Sequence, residues 1–595
     1  LQISHSAIRE VSETAFINLS QSLESLALVS GRLTQIPQKA LADLHKLAAL
    51  DLEANLIQDL PSFCFWGLKL MKLSHVNLQA GDSSSGSSGA GSSLVSIQLD
   101  KRLYLTNNSI SRIEDAAFQP MQALKFLELS MNRLSHVTAR TFSELHELEE
   151  LYLRDNGLKR LDQYALTHGA FRGLANLTDL NLENNDLTAT ALHRLDIPGL
   201  RILAASGNNF SQLTEHSFNG LSSLQDLFLD DTHLVQLPEN VFSINRNLAK
   251  LHASKNSLRI LPPGIFDGLI SLREIRLDNN RFLEIPYSAL SSALNLEILS
   301  LSHNDLVTVD VASFAGLKHL RELDLSKNRI VTMSGFAAAN LSRLLSVDLN
   351  HNHLNALPAN FFLHSSMLRR VDLSENKFRQ IPAVALSGQN LPSLAWLNLT
   401  RNPLNRIHDL PSEAMYPLLQ EIHISGTNLS IVTSQDFEAF PALMHLFLGQ
   451  NCISRISPGA FRSLPNLLTL HMGMNSMEII PQERLQGLEH LRILNLTHNR
   501  IKELEEFPSD LKSLQVLDLS YNQIGIVGKV TFKNLISLVE LHLYGNWINA
   551  ISSEAFRPLK KLRLLDLSRN YLENLPLNAF RPLETQIRSL RAEGK

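Results

Sequence analysis

The stretch Leu-Arg-Glu-Leu-Asp-Leu-Ser-Lys-Asn-Arg-Ile at residues 320–330 decides the fold, because the same frame returns with its asparagine 24 residues further on. Asn256, Asn280, Asn304, Asn328, Asn352 and Asn376 keep that interval, and Leu-Gln-Val-Leu-Asp-Leu-Ser-Tyr-Asn-Gln-Ile at 514–524 repeats the frame. One short apolar strand with a return loop cannot bury its apolar side alone, whereas stacked copies share a continuous core. The chain therefore reads as a solenoid.

The asparagine has a physical task in each unit. The chain turns sharply after the strand and leaves backbone N–H and C=O groups facing the interior without a strand partner. An amide offers two donors and an acceptor, so copies in adjacent coils can bridge successive turns, and an unmet buried group costs roughly 1–3 kcal/mol. Leu320, Leu323, Leu325 and Ile330 point inward beside it.

Following the frame along the chain places Ser6, Gly31, Asn55, Val76, Asn108, Asn132, Asn156, Asn185, Asn208 and Thr232 at this position. After the six above come Asn402, Thr427, Asn451, Asn475, Asn499, Asn522, Asn546 and Asn570, which makes 24 coils, five of them without Asn. Ser and Thr replace part of the hydrogen bonding; Gly31 and Val76 do not, and irregular coils are expected there. A Phe column at Phe118, Phe142, Phe218, Phe242, Phe266, Phe314, Phe461, Phe532, Phe556 and Phe580 follows about ten residues later and reads as a convex-side spine. The expected class is an α/β-type repeat solenoid, a horseshoe or superhelix with a concave parallel sheet and an irregular or short-helical convex side. At ~4.8 Å per strand its inner surface would run on the order of 110 Å.

The array is interrupted once. Residues 81–93, Gly-Asp-Ser-Ser-Ser-Gly-Ser-Ser-Gly-Ala-Gly-Ser-Ser, have the composition of a flexible linker. They divide repeats in 1–80 from repeats in 94–595. The segment is a disordered excursion or a splice replacing a longer loop, or alternatively a functional protrusion. A smaller insertion falls in 157–184. Both ends lie inside a repeat frame, Leu1, Ile3, Ser6 and Ile8 at one and Ile587, Leu590 and Ala592 at the other, and no cysteine-rich cap is present. This reads as a fragment of a longer array or an array that lost its caps.

A hydrophobic fraction of 44%, a charged fraction of 19% and a formal net charge of −4 over 595 residues give neither the basic footprint of a nucleic-acid binder nor a disordered profile. No run approaches the ~20 apolar residues that cross a bilayer. Eight Asn-x-Ser/Thr sequons, at Asn18, Asn107, Asn176, Asn209, Asn340, Asn398, Asn428 and Asn495, favour an extracellular or cell-surface glycoprotein with N-linked glycans and no other cofactor. Cys64 and Cys452 lie roughly sixteen coils apart, too far to bridge. They read as small semi-buried thiols or as partners of cysteines outside this chain.

No nucleophile, base or paired-carboxylate constellation suggests an enzyme. Recognition chemistry belongs to the strand positions that alternate with the buried leucines. Asn398, His423, Phe447 and His471 occupy one such column, with Trp396 and His445 two residues earlier on their strands. The patch Trp396, His423, His445, Phe447 and His471 reads as a partner-binding surface sensitive to histidine titration near pH ~6.5, or as aromatics stacking on neighbouring coils. A second concave cluster, Asp226, Phe228, Asp230 and Asp231 beside Lys250 and Arg276, suits a basic partner. Asp324, Asp348 and Asp372 share one column; Arg321, Arg369 and Arg370 on the same strands would neutralise them, with calcium chelation the weaker reading and no other metal site in view. His252 and His542 read as solvated.

The two quoted frames resemble the typical 24-residue extracellular leucine-rich repeats of Toll-like receptors, Slit, connectin and chaoptin. The long array without internal cysteine caps is most similar to the chaoptin type of insect photoreceptor adhesion protein. That resemblance implies a lipid-anchored protein at the plasma membrane that adheres through a copy of itself, its anchor lying outside this chain. The Toll-like alternative implies a receptor ectodomain for a protein or microbial ligand.

Overall fold

In the computed structural model, residues 1–68, 101–158, 171, 173–407, 415–480, 482–574 and 577–593 are described. The Gly/Ser segment 81–93, Val76 and Lys595 lie outside them. The chain divides into two compact units, residues 1–281 with 288–295 and residues 282–287 with 296–595. Each is a parallel-sheet solenoid, and no helix among the described residues is long and apolar enough to cross a membrane.

Every described coil contributes one strand, usually of three residues, and each strand pairs in parallel with the next. Leu251 pairs with Ile275 in the first unit and Leu323 with Val347 in the second. Only the middle residue points inward, so Leu251 and Leu323 are buried while their neighbours Lys250, His252, Glu322 and Asp324 face outward. Strands this short hold little on their own. The stack of buried leucines, each contributing roughly 2 kcal/mol, supplies most of the stabilisation. Return segments use helical turns of four residues such as Gln38–Leu41 and Ala383–Leu386, and two-residue parallel pairs such as Thr308–Val309 with Thr332–Met333.

The asparagine ladder forms as its chemistry requires. Asn328 Nδ2 donates to Leu301 O in the preceding coil at 2.9 Å and to Leu325 O at 3.0 Å in its own, while its Oδ1 accepts from Leu306 N at 3.1 Å. Where Thr stands instead, bonding runs toward the following coil: Asn451 Oδ1 accepts both Thr427 N at 2.7 Å and Thr427 Oγ1 at 2.6 Å. The coil of Gly31 departs from expectation by being regular, with its strand in register on both sides. A Cβ at Gly31 would come within 2.7 Å of Asn55 Oδ1, so the glycine leaves the next rung room.

The strand Ala49–Asp51 pairs directly with Arg102–Tyr104, and Asn108 Nδ2 reaches Leu52 O at 3.0 Å. The coil of Asn55 therefore stacks on that of Asn108; the irregularity expected at Val76 falls outside the described residues. The Phe column is interior: Phe118 and Phe142 stack at 6.0 Å, Phe218 and Phe242 at 5.9 Å, and Phe532 and Phe556 at 6.2 Å. Phe171, Tyr416 and Phe437 join it, Phe171 stacking on Phe142, Tyr416 on Phe440 and Phe437 on Phe461.

Candidate functional site

The outward strand face of the second unit carries a continuous stack. Arg370 pairs in register with Trp396 and lays its guanidinium 3.3 Å from the indole centroid. Trp396 meets His423 across the diagonal at 5.3 Å; His423 lies flat on Phe447 at 4.2 Å and 2°, and Phe447 on His471 at 4.9 Å and 8°. Register explains the geometry. His423, Phe447 and His471 are direct partners on consecutive strands, which brings their rings within stacking distance. His423 Nε2 sits 2.7 Å from Glu421 Oε1, which fixes its ring.

His445 is not a member of the stack. It occupies the adjacent column between Glu421 and Thr469, close enough for its charge to act on His471. Burial, then His423 and His445, hold the His471 pKa below the ordinary histidine range. Gly449 and Gly473 follow two residues after Phe447 and His471, and a Cβ at Gly473 would meet Thr497 Oγ1 at 2.6 Å and Asn495 Oδ1 at 3.0 Å.

The sequons divide by position. Asn18, Asn107, Asn176, Asn209, Asn340 and Asn428 are exposed, while Asn398 and Asn495 are half-buried. These two sit in the column of the stack, immediately before His423 and immediately after His471. Asn398 Nδ2 donates to Asp372 Oδ2 at 3.1 Å, and Asn495 Oδ1 accepts from Thr497 N at 3.0 Å.

The aspartate column has a local role. Asp324, Asp348 and Asp372 each accept the N–H two residues on, at 2.9 Å, closing the strand end. The expected neutralisation does not occur, because Arg321 pairs with Glu297 at 3.3 Å and Arg370 covers Trp396. Burial and the flanking Asp372 and Asp324 push the Asp348 carboxyl up to about 6. Among the described residues no group of three or more His, Cys, Asp or Glu could hold a metal ion.

The Asp226 cluster in the first unit is internally paired. Lys250 Nζ meets Asp226 Oδ2 at 3.1 Å, Asp230 Oδ1 accepts from Ser254 N at 2.6 Å, and Asp231 takes a left-handed turn position. Phe228 packs edge-on against His252 at 4.8 Å, and His252 and Arg276 converge on Glu274 at 3.1 and 2.6 Å. His252 is thus held by a ring and a carboxylate, not free in solvent. His542 lies 3.5 Å from Glu540. Cys64 is buried and its thiol is pushed up to about 12 by that burial, whereas Cys452 is exposed rather than semi-buried.

Two aromatic clusters escape a search along single columns. In the first unit Phe126 lies 4.9 Å from Tyr104 and 5.3 Å from Tyr152, joining two columns. In the second, His498 stacks on Tyr521 at 4.3 Å, Tyr521 meets Tyr544 at 5.1 Å, and Arg569 lies over Tyr544 at 5.4 Å. The signal for the latter is an aromatic residue just before the ladder asparagine, His498 and Tyr521 immediately before and Tyr544 two residues before.

A leucine rich repeat model matches residues 21–79 and 101–158, and overlapping windows of it span 226–404 and 417–592. Human lumican is 33% identical over 158 residues, 24% of this chain and 46% of lumican. Mouse podocan is 28% identical over 261 residues, covering 36% and 41%. The chain spans about half the length of the curated relatives it matches. Among solved structures, Toll in the Drosophila Toll–Spatzle complex superposes with TM-score 0.55 at 18% identity, over 96% of this chain and 64% of that one. TLR13 in its complex with ssRNA13 gives 0.54 at 22%, over 94% and 83%. These two likenesses establish a shared fold. With the repeat model matching well over half of its residues, the chain belongs to the leucine-rich repeat family.

Proposed function

We propose that this chain is a non-catalytic, protein-binding array that works outside the cell as an adhesion module, engaging a copy of itself or another cell-surface protein through the outward face around Trp396. The observation that carries this reading is the stack Trp396–His423–Phe447–His471, half-buried rings in contact along one outward face and topped by the exposed Arg370. Large aromatics held at fixed angles lose little entropy on binding and anchor protein interfaces. Six exposed sequons and the likeness to lumican and podocan support an extracellular site. Because His471 is held neutral in the stack, its protonation in mild acid would weaken the surface.

The receptor-ectodomain reading is favoured by the likeness to Toll captured with Spatzle. Sedimentation of the glycosylated chain over a wide concentration range separates the two. Homophilic adhesion predicts a reversible dimer that the double variant W396A/F447A dissolves. A monomer at every concentration overturns the homophilic reading, and a dimer indifferent to the double variant removes the stack from the interface.

A further inference from the structure

A pocket of about 450 Å³ opens in the first unit between the segments that follow the rungs Asn185 and Asn208. Its volume falls in the range of small-molecule sites, ~300–1,000 Å³. Thr188, Thr190 and His193 line it from the first segment, and Asn209, Gln212 and Thr214 from the second. No acid, lysine or arginine stands in this lining, so a phosphate, a sulfate or an ammonium group would find no counter-charge there. Hydroxyls, an amide and an imidazole can each donate or accept, which suits a neutral ligand rich in hydroxyls. Thr188 and Thr190 hydroxyls meet at 2.8 Å, the Thr214 hydroxyl meets His193 Nε2 at 3.1 Å, and the Gln212 side chain is exposed.

One lining residue is itself the acceptor of a sequon, Asn209-Phe210-Ser211. Its backbone is fixed, since Asn209 N donates to Leu187 O at 2.8 Å and the residue bridges in parallel to Thr188. Its amide is oriented as well: Oδ1 accepts from Ser211 Oγ at 2.9 Å, and Nδ2, the atom that carries a sugar, is left free at the pocket wall. At Asn176, by contrast, Nδ2 already donates to His146 O and Glu147 Oε2, both at 3.3 Å.

We propose that the pocket seats the glycan borne by Asn209, holding its core N-acetylglucosamine units against Thr190, His193, Gln212 and Thr214. In the transfer Asn209 Nδ2 bonds to the anomeric carbon of an oligosaccharide carried on a lipid diphosphate; the diphosphate leaves with the bonding pair, and one Nδ2 proton is released. The sugar starts inside the site that receives it, so its hydrogen bonds carry no cost of bringing two molecules together. This inference rests on the extracellular reading of the chain and is independent of the Trp396 face.

The test is glycopeptide mass spectrometry of the secreted full chain during native digestion with a peptide N-glycosidase. Asn209 is expected to be occupied and to lose its glycan more slowly than Asn428. H193A/Q212A alters two exposed side chains and should speed release at Asn209 about tenfold while leaving Asn428 unchanged. Equal release at Asn209 from wild type and variant overturns the proposal, and so does an equal acceleration at Asn428, which would mean general loosening. A bare Asn209 beside occupied Asn340 and Asn428 overturns it too; binding of added N,N′-diacetylchitobiose to that chain would give the pocket to the sugar of another molecule. A secreted chain bare at all six exposed sequons would overturn this inference together with the extracellular reading.

Discussion

The aromatic face around Phe126 and the one around Phe447 rest on the same scaffold and differ in what surrounds the rings. Beneath both run the same buried leucines and the same ladder: Asn132 Nδ2 reaches Leu105 O at 2.9 Å, and Asn451 Nδ2 reaches Ile424 O at 2.8 Å. Above the first, Tyr104 and Tyr152 flank Glu128 in one column, with Phe126 against both rings. Above the second, histidines stack in one column capped by a guanidinium. The ladder and the outward rings use separate residues, so the outward positions can change character without touching the core.

If that separation holds, removing a ladder rung damages either face through the scaffold, and this is the largest effect expected. N132A and N451A should each destabilise by ~2–4 kcal/mol, since several buried backbone groups lose their partners at once. N451A should cost more, because its Oδ1 also serves both Thr427 groups. Chemical denaturation followed by tryptophan fluorescence reads this; a change under ~1 kcal/mol in both would show that water replaces the rungs without penalty.

Truncating the central ring should act locally. F447A removes stacking on two histidines and F126A contact with two tyrosines, each at a cost of ~1–2 kcal/mol. Equal loss of both faces in either variant, seen by hydrogen exchange, would break the claim that they are independent.

Asp348 offers an effect of opposite sign. Its carboxyl is raised to about 6 in the folded chain, so the favourable contribution is complete below the unfolded value of ~3.9 and is lost as pH rises through about 6. D348N retains an acceptor for the Asn350 N–H and should stabilise by ~1–2 kcal/mol at neutral pH, with no gain below pH ~4. A pH-independent difference between wild type and variant would rule out this cause.

The smallest effect should come from His471. Its folded pKa is depressed, so stability is full above the unfolded value of ~6.5 and declines as pH falls below it. H471F keeps the stack and should flatten that decline. Melting temperatures between neutral and mildly acidic pH would show it, and an unchanged slope would assign the decline to another group.

Much of the second face was legible because its rings share one column, and a column is visible as a 24-residue interval. Trp396 and His445 were both read in the adjacent column, yet only Trp396 joins the stack, because sequence spacing cannot tell which way a ring leans. The Phe126 cluster was missed for the same reason, since Tyr104 and Tyr152 belong to one column and Phe126 to the other. Arg321 and Arg370 were given to the aspartates on proximity alone; in the fold, Glu297 and the Trp396 ring are better placed. The left-handed residue before each ladder asparagine, such as Lys327 at φ 52° or His303 at φ 51°, left little trace, because the ladder imposes it on ordinary side chains and Gly occurs only at some, Gly207, Gly426 and Gly545 among them.

The sequence by itself determined the coil, its inward leucines and its asparagine rung, since these obey a period and a period needs only one dimension. Tertiary structure decided which coils are neighbours and which outward side chains meet. Asn108 bonds to Leu52, 56 residues away, because the two coils stack directly, and no spacing rule reveals that closure. Ring contacts and charge pairs depend on side-chain direction across strands, and that is fixed only once the strands stand side by side.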